Sequence, residues 1–215
     1  MAAKNETTVQ VFARAPVAGT VKTRLIPILG SHGAAALHRS LIEHSLAMAR
    51  ESGLGQVELW CTPDTGDLFF QSCKERFGVT LHRQCGGDLG ARMLDALGDG
   101  LERSRNVFLL GSDCPSLTAA DLRAGARALR DGRDAVFCPA EDGGYMLVGV
   151  SHAMPALFEA MTWGTDTVME ETRQRLHNLG WRWHELPQRW DVDRPEDYQR
   201  LVREGLMAPV PSVKS

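Results

Sequence analysis

Short apolar runs alternate along this chain with longer amphipathic stretches, which is the pattern of strands joined by helical crossovers. Residues 9–13, 57–61, 79–82, 107–110, 135–138, 145–150 and 183–186 read as strands. Residues 33–52, 67–77, 118–132, 167–179 and 195–204 read as helices. A further helix follows Asp88, because Leu89, Met93, Leu97 and Leu101 recur at fourfold spacing. The run Val107-Phe-Leu-Leu110 is apolar throughout, as expected of a strand covered on both faces. Thr118 and Asp121 resemble a capping box, and that helix closes near Gly132. No repeat or interdomain linker interrupts the series. The pattern therefore predicts one doubly wound α/β domain over residues 9–206, with tails at 1–8 and 207–215.

Composition narrows the classes. A chain of 215 residues, 43% hydrophobic, can bury a sizeable core without disulfides or a structural metal. Its net charge of -3 gives no reason to expect nucleic acid as a partner, whereas a free nucleotide needs only a few cations in one place. The five cysteines are an odd number with no Cys-x-x-Cys pair, and they read as reduced thiols of a cytosolic protein. The N-terminus has no apolar signal-peptide core, and no apolar run approaches the ~20 residues of a membrane span. The expected compartment is the cytoplasm. Scattered histidines disfavour a zinc hydrolase, and the lack of Gly-x-Ser-x-Gly disfavours an α/β-hydrolase.

Open α/β sheets bind ligands beyond the C-terminal ends of their strands, so the residues just after each apolar run carry the candidate chemistry. After the first strand, Arg14, Lys22 and Arg24 place three cations on one loop shaped by Pro16 and Gly19, a candidate grip for a diphosphate or triphosphate. The loop is not a Walker A motif. After residues 107–110, Asp113 is a carboxylate at a buried strand end, placed to share Mg²⁺ or Mn²⁺ with phosphate oxygens. Glu141-Asp142-Gly143-Gly144 is a tight turn with two acids, and its glycines could lie against the transferred group. Asp191 reads as a second metal ligand. Asp193 is a further candidate, although Pro195 and Glu196 suit it to capping a helix. Asp88 and Arg92 open a helix that would face the nucleotide, with helix capping as the alternative for Asp88. Trp163 and Thr165 could form an acceptor-binding lip.

Six segments together carry a resemblance: residues 11–25, Asp88-Leu-Gly-Ala-Arg-Met93, Gly111-Ser-Asp-Cys-Pro-Ser-Leu117, Glu141-Asp-Gly-Gly-Tyr145, Trp163-Gly-Thr-Asp-Thr-Val168 and Asp191-Val-Asp-Arg-Pro-Glu-Asp197. In this order they resemble the bacterial and archaeal nucleotide-diphospho-sugar transferase family of the radical-SAM/selenodomain-associated type, over residues 9–205. The resemblance implies a glycosyltransferase-A-like α/β/α sandwich with a mostly parallel central sheet. It is also similar in outline to guanylyltransferases acting on 2-phospholactate and on the molybdenum cofactor. It implies phosphate contacts at Arg14, Lys22 and Arg24, and metal binding at Asp113 with Asp191 or Asp193. A lone Asp113 stands where glycosyltransferases of this fold carry Asp-x-Asp, which leaves nucleotidyl transfer open.

The expected activity is metal-dependent transfer of a sugar from a nucleotide sugar to a small-molecule acceptor, with Asp113, Lys22 and Arg24 at the reacting phosphates. A nucleotidyltransferase joining a nucleoside triphosphate to a phosphorylated small molecule is the alternative. A non-catalytic nucleotide-binding module is a third.

Overall fold

The computed structural model describes residues 4–210; the ends of both predicted tails, 1–3 and 211–215, lie outside them. Seven strands form one sheet: β1 Asn5–Arg14, β2 Gln56–Thr62, β3 Thr80–Arg83, β4 Ser104–Gly111, β5 Ala135–Pro139, β6 Tyr145–Val150 and β7 Trp183–Glu185. Their order across the sheet is β3-β2-β1-β4-β6-β5-β7. The α-helices are α1 Ile26–Glu51, α2 Leu68–Phe77, α3 Leu89–Arg103, α4 Ala119–Arg130, α5 Val168–Asn178 and α6 Pro195–Arg203.

Every neighbouring pair is parallel except those made by β6, which runs against both β4 and β5. The connection from β5 to β6 is a short turn, too short for a crossover, so the two strands must form a hairpin. Helices cover both faces. On one, Ile42 and Leu46 of α1, Phe70 of α2 and Leu122 of α4 pack on Val9, Val11 and Leu59. On the other, Met93 and Leu97 of α3 and Met169 and Leu176 of α5 pack on Phe12, Trp60 and Phe137. The architecture is thus the expected α/β/α sandwich.

A third apolar cluster bears directly on the site. Leu25, Leu29, Leu37 and Leu41 pack with Trp190, Val192 and Leu201, so burial ties the segment before α6 to the loop after β1. No helix among the described residues is long and apolar enough to cross a membrane.

Among the departures from the pattern are the starts of β1 and α1 and the cap of α6. β1 begins at Asn5, because Thr7 and Thr8 are buried despite their hydroxyls, and the Thr8 hydroxyl pairs with that of Ser104 at 2.6 Å. α1 starts well before residue 33, as two helices joined at Gly30 (φ 68°). The N-cap of α6 is Arg194, not Asp193. Pro195 holds the first helical position, and Asp197, not Glu196, accepts the backbone N–H groups of Asp193 and Arg194 at 3.1 and 2.7 Å.

Candidate functional site

β1 and β4 are adjacent and parallel, so the loops that follow them leave the sheet side by side. Lys22, in a left-handed conformation (φ 47°) just before the 3-10 turn Thr23–Leu25, reaches across this junction. Its ammonium lies 2.9 Å from Asp113 Oδ2, with the lysine side chain almost fully buried. Two groups expected to hold phosphate and metal are thus in direct contact with each other.

A residue that the sequence did not single out completes this centre. His38 lies on the inward face of α1, 5% exposed, and its Nε2 stands 3.1 Å from the carbonyl oxygen of Arg14. A carbonyl only accepts, so Nε2 carries the proton. Nδ1 then faces Asp113 Oδ1 at 3.5 Å, and both atoms are buried without a hydrogen-bond partner. Burial alone would raise the Asp113 carboxyl. The charge of the Lys22 ammonium outweighs it and holds the group well below the usual carboxylate range.

The segment before α6 is stitched to the same place, because the Val192 N–H donates to the Asp113 carbonyl at 3.0 Å. Asp191 is thereby brought near Asp113 and Asp142. Burial first, then the charge of Asp142, pushes its carboxyl up to about 6. Asp193 is ion-paired with Arg24 instead of capping a helix. Two of the three loop cations thus already face carboxylates, while the Arg14 side chain is left exposed.

A cavity of about 440 Å³ opens beside these groups, with Trp190 in its wall. Its wall carries six carboxylates, among them Asp142, Asp166 and Asp191, against the guanidiniums of Arg24 and Arg194. Arg200, paired with Glu141 at 2.9 Å, lies 4.3 Å over the Trp190 ring and braces the rim. The turn at 141–144 is held from behind. Met169 N–H donates to the Gly143 carbonyl at 2.8 Å, and a Cβ on Gly143 (φ 89°) would stand 2.0 Å from the Asp166 carbonyl oxygen. The absent side chain of Gly143 makes room for this loop, not for a ligand. The Gly144 N–H donates to Asp142 Oδ1 at 3.0 Å and fixes that carboxylate. Thr165 lines the cavity.

The remaining expected residues have structural roles of their own. Asp88 caps α3 by accepting the Ala91 N–H at 2.8 Å. Arg92 is tied to the Gly86 carbonyl at 3.3 Å. Gly19 (φ 85°) turns an open part of the loop, with nothing near its missing side chain. Trp163 packs on Gly90, where a Cβ would meet its Nε1 at 2.8 Å. Away from these groups, Glu58, His82 and Asp99 bring ligand-type atoms within 4.8 Å of one another.

Residues 45–165 match the model of the family described as "Uncharacterized protein conserved in bacteria (DUF2064)". The chain belongs to this family. No curated protein matches it. Among solved structures it is similar to a Desulfovibrio desulfuricans G20 protein provisionally named a nucleotide-diphospho-sugar transferase. The identity is 29% and the TM-score 0.84, covering 94% of this chain and 88% of that one. A cytidylyltransferase from Leptospira borgpetersenii shares the fold at 15% identity and TM-score 0.61, covering 96% and 90%. So does the Mycobacterium tuberculosis H37Rv protein Rv0371C in complex with manganese, at 19% identity and TM-score 0.53, covering 92% and 98%.

Proposed function

We propose that residues 9–206 form one metal-dependent transferase domain that moves a sugar from a nucleotide sugar to a small-molecule acceptor, in the cytoplasm. The observation that carries this reading is the contact of Lys22 with Asp113 at the adjoining ends of β1 and β4, next to a cavity rich in carboxylates that Arg24, Asp191 and Asp193 line. The name given to the Desulfovibrio protein points to the same class of reaction.

The residues suit a divalent cation. Asp113 Oδ1 is a buried oxygen without a partner, and Asp191 is a carboxylate short of positive charge. An all-oxygen set of this kind favours Mg²⁺ or Mn²⁺ over softer metals. We assign that role to Asp113 and Asp191, with Asp193 joining them once Arg24 turns to phosphate. The bound ion would help offset the charge of the diphosphate.

In this reading Arg14, Lys22 and Arg24 grip the phosphates, which replace Asp113 and Asp193 as partners of the two engaged cations. Gly19 lets the loop close over them, with Asp88 and Arg92 on the nucleotide side. Glu141, Asp142, Gly144 and Thr165 face the sugar and acceptor, while Gly143 and Trp163 hold that wall in place. The acceptor oxygen attacks the anomeric carbon, and the bond from that carbon to the phosphate oxygen breaks. The proton of the acceptor passes to Asp142, and the nucleoside diphosphate leaves, its added charge met by Lys22 and Arg24.

Nucleotidyl transfer shares the fold, and the Leptospira neighbour is named for it. It requires an acceptor phosphate to enter beside six carboxylates and two guanidiniums, which is unfavourable. Sugar transfer brings in only the phosphates of the donor, which the loop cations and the metal would meet. The test is to incubate the protein with Mg²⁺ or Mn²⁺ and a panel of nucleotide sugars and nucleoside triphosphates. Release of a nucleoside diphosphate from one nucleotide sugar is the expected result. Pyrophosphate release alone would overturn it in favour of nucleotidyl transfer, and binding without turnover would mark a regulatory module.

A further inference from the structure

Beside the acidic cavity lies a smaller one of about 180 Å³. The two share Asp142, Gly164 and Thr165 in their walls, so they adjoin as two halves of one hollow. Their chemistry is opposite. The smaller half is walled by Leu89 and Met93 of α3, Tyr145 and Met146 of β6, Trp163 and Val168. None of Arg14, Lys22 or Arg24 borders it, so it stands apart from the phosphate grip.

Two features mark this half as a formed site. Its aromatic wall is braced, with Tyr145 edge-on to Trp163 at 6.3 Å and to Phe137 at 5.1 Å. Leu89, on the first turn of α3, is left 45% exposed at its rim, where an apolar ligand would cover it. Pockets for small molecules combine apolar walls with a few polar groups in this way.

We infer that this slot seats the apolar part of the acceptor, and that the acceptor is an alcohol or amine bearing an aromatic ring or short alkyl group and no phosphate. The inference rests on the transferase reading above. Asp142 borders both halves, so a hydroxyl or amine carried by a group in the slot meets the carboxylate assigned to take its proton. The acidic half repels an acceptor phosphate and tolerates a neutral or cationic head.

Saturation-transfer NMR on the full chain tests this with benzyl alcohol, tyramine, glycerol and glycerol 3-phosphate as probes. Metal-dependent nucleotide binding is followed by calorimetry on the same samples. With the phosphate grip filled by saturating nucleoside diphosphate and Mg²⁺, ring protons of benzyl alcohol and tyramine should receive saturation, and glycerol and glycerol 3-phosphate should not. Leu89→Trp, at an exposed position, should cut the ring-proton signal at least fivefold while leaving nucleotide binding unchanged. Met146→Phe should cut it from the opposite wall, and a thermal melt of each variant verifies folding. Saturation of glycerol 3-phosphate, or ring signals undiminished in both folded variants, would overturn the slot while nucleotide binding persists. Loss of nucleotide binding in the unaltered protein would instead overturn the transferase reading beneath it.

Discussion

Two carboxylate clusters lie in this fold, and they have been left in opposite electrostatic states. In the first, Glu58 is fully buried on β2. Its Oε1 accepts from Arg103 at 2.8 Å, and its Oε2 accepts from the Trp60 indole at 2.9 Å and the Gln10 amide at 3.2 Å. Asp99 accepts from the same guanidinium at 2.6 Å, and His82 stacks on Trp60 at 4.8 Å. In the second, Lys22 alone bonds Asp113, one oxygen of Asp113 is orphaned, and Asp191 is pushed up by burial and Asp142. The tighter cluster has the better spacing for a metal, yet Arg103 already bridges both of its carboxylates. Ligand-like spacing is therefore a poor guide by itself. What distinguishes the proposed site is charge that the chain has not satisfied.

The largest effect expected from breaking this contrast comes from Arg103→Met. It strands Glu58 in the core and should cost about 3 kcal/mol. At 2–4 °C per kcal/mol for a chain of this size, the melting temperature should fall by roughly 6–12 °C. Nucleotide affinity measured by calorimetry should be unchanged. A melt within a degree of the parent would show that the first cluster is not a structural charge network.

Gly143→Ala should cost about 2 kcal/mol, from its left-handed backbone and the 2.0 Å approach to the Asp166 carbonyl. Because the turn carrying Asp142 must shift, turnover should drop roughly 100-fold, with nucleotide affinity within about twofold. Equal losses in both would place the turn at the nucleotide instead.

The raised Asp191 carboxyl gives a pH signature. Metal binding needs the carboxylate, so affinity for Mn²⁺ should be flat above about pH 6. Below that pH it should weaken, approaching about tenfold per unit from this one proton. Asp191→Asn should bind weakly and lack the slope, and a slope retained in that variant would remove Asp191 from the metal site.

The smallest effect is on stability. A carboxyl whose folded value is raised contributes stability that is fully present below its ordinary value. That stability is lost as pH rises through about 6. At pH 8 without metal, Asp191→Asn should therefore stabilise the fold by about 1 kcal/mol, a modest figure because the group is partly exposed, or roughly 2–4 °C. No gain in the melt would mean that Asp191 is relaxed in the free protein.

The layers of this fold were legible because each strand and helix has its own hydrophobic period, and Asp113 was legible because it ends a wholly apolar strand. That the loops carrying Lys22 and Asp113 lie at one end of the sheet followed from one further rule, that ligands gather beyond parallel strand ends, but their direct contact did not. His38 was not legible. It sits in an apolar helical stripe between Leu37 and Leu41, and only the approach of α1 to β1 and β4 gives it a partner. The Glu58 network was hidden for the same reason, since Gln10, Glu58, His82 and Arg103 come from four separate elements. The capping expected of Asp193 is absent because Arg194 is the N-cap and Asp193 pairs with Arg24, which comes from a distant loop. The purpose of Gly143 lay in a loop more than twenty residues away, at Asp166.

The central claim is that Asp113 is the carboxylate through which a divalent ion and a nucleotide are held together. Calorimetric titration of a nucleotide sugar into Asp113→Asn, with and without Mn²⁺, tests it most directly. The account predicts that Mn²⁺ tightens binding to the parent protein at least tenfold and leaves the folded variant's affinity unchanged. Equal enhancement by Mn²⁺ in both proteins would contradict it.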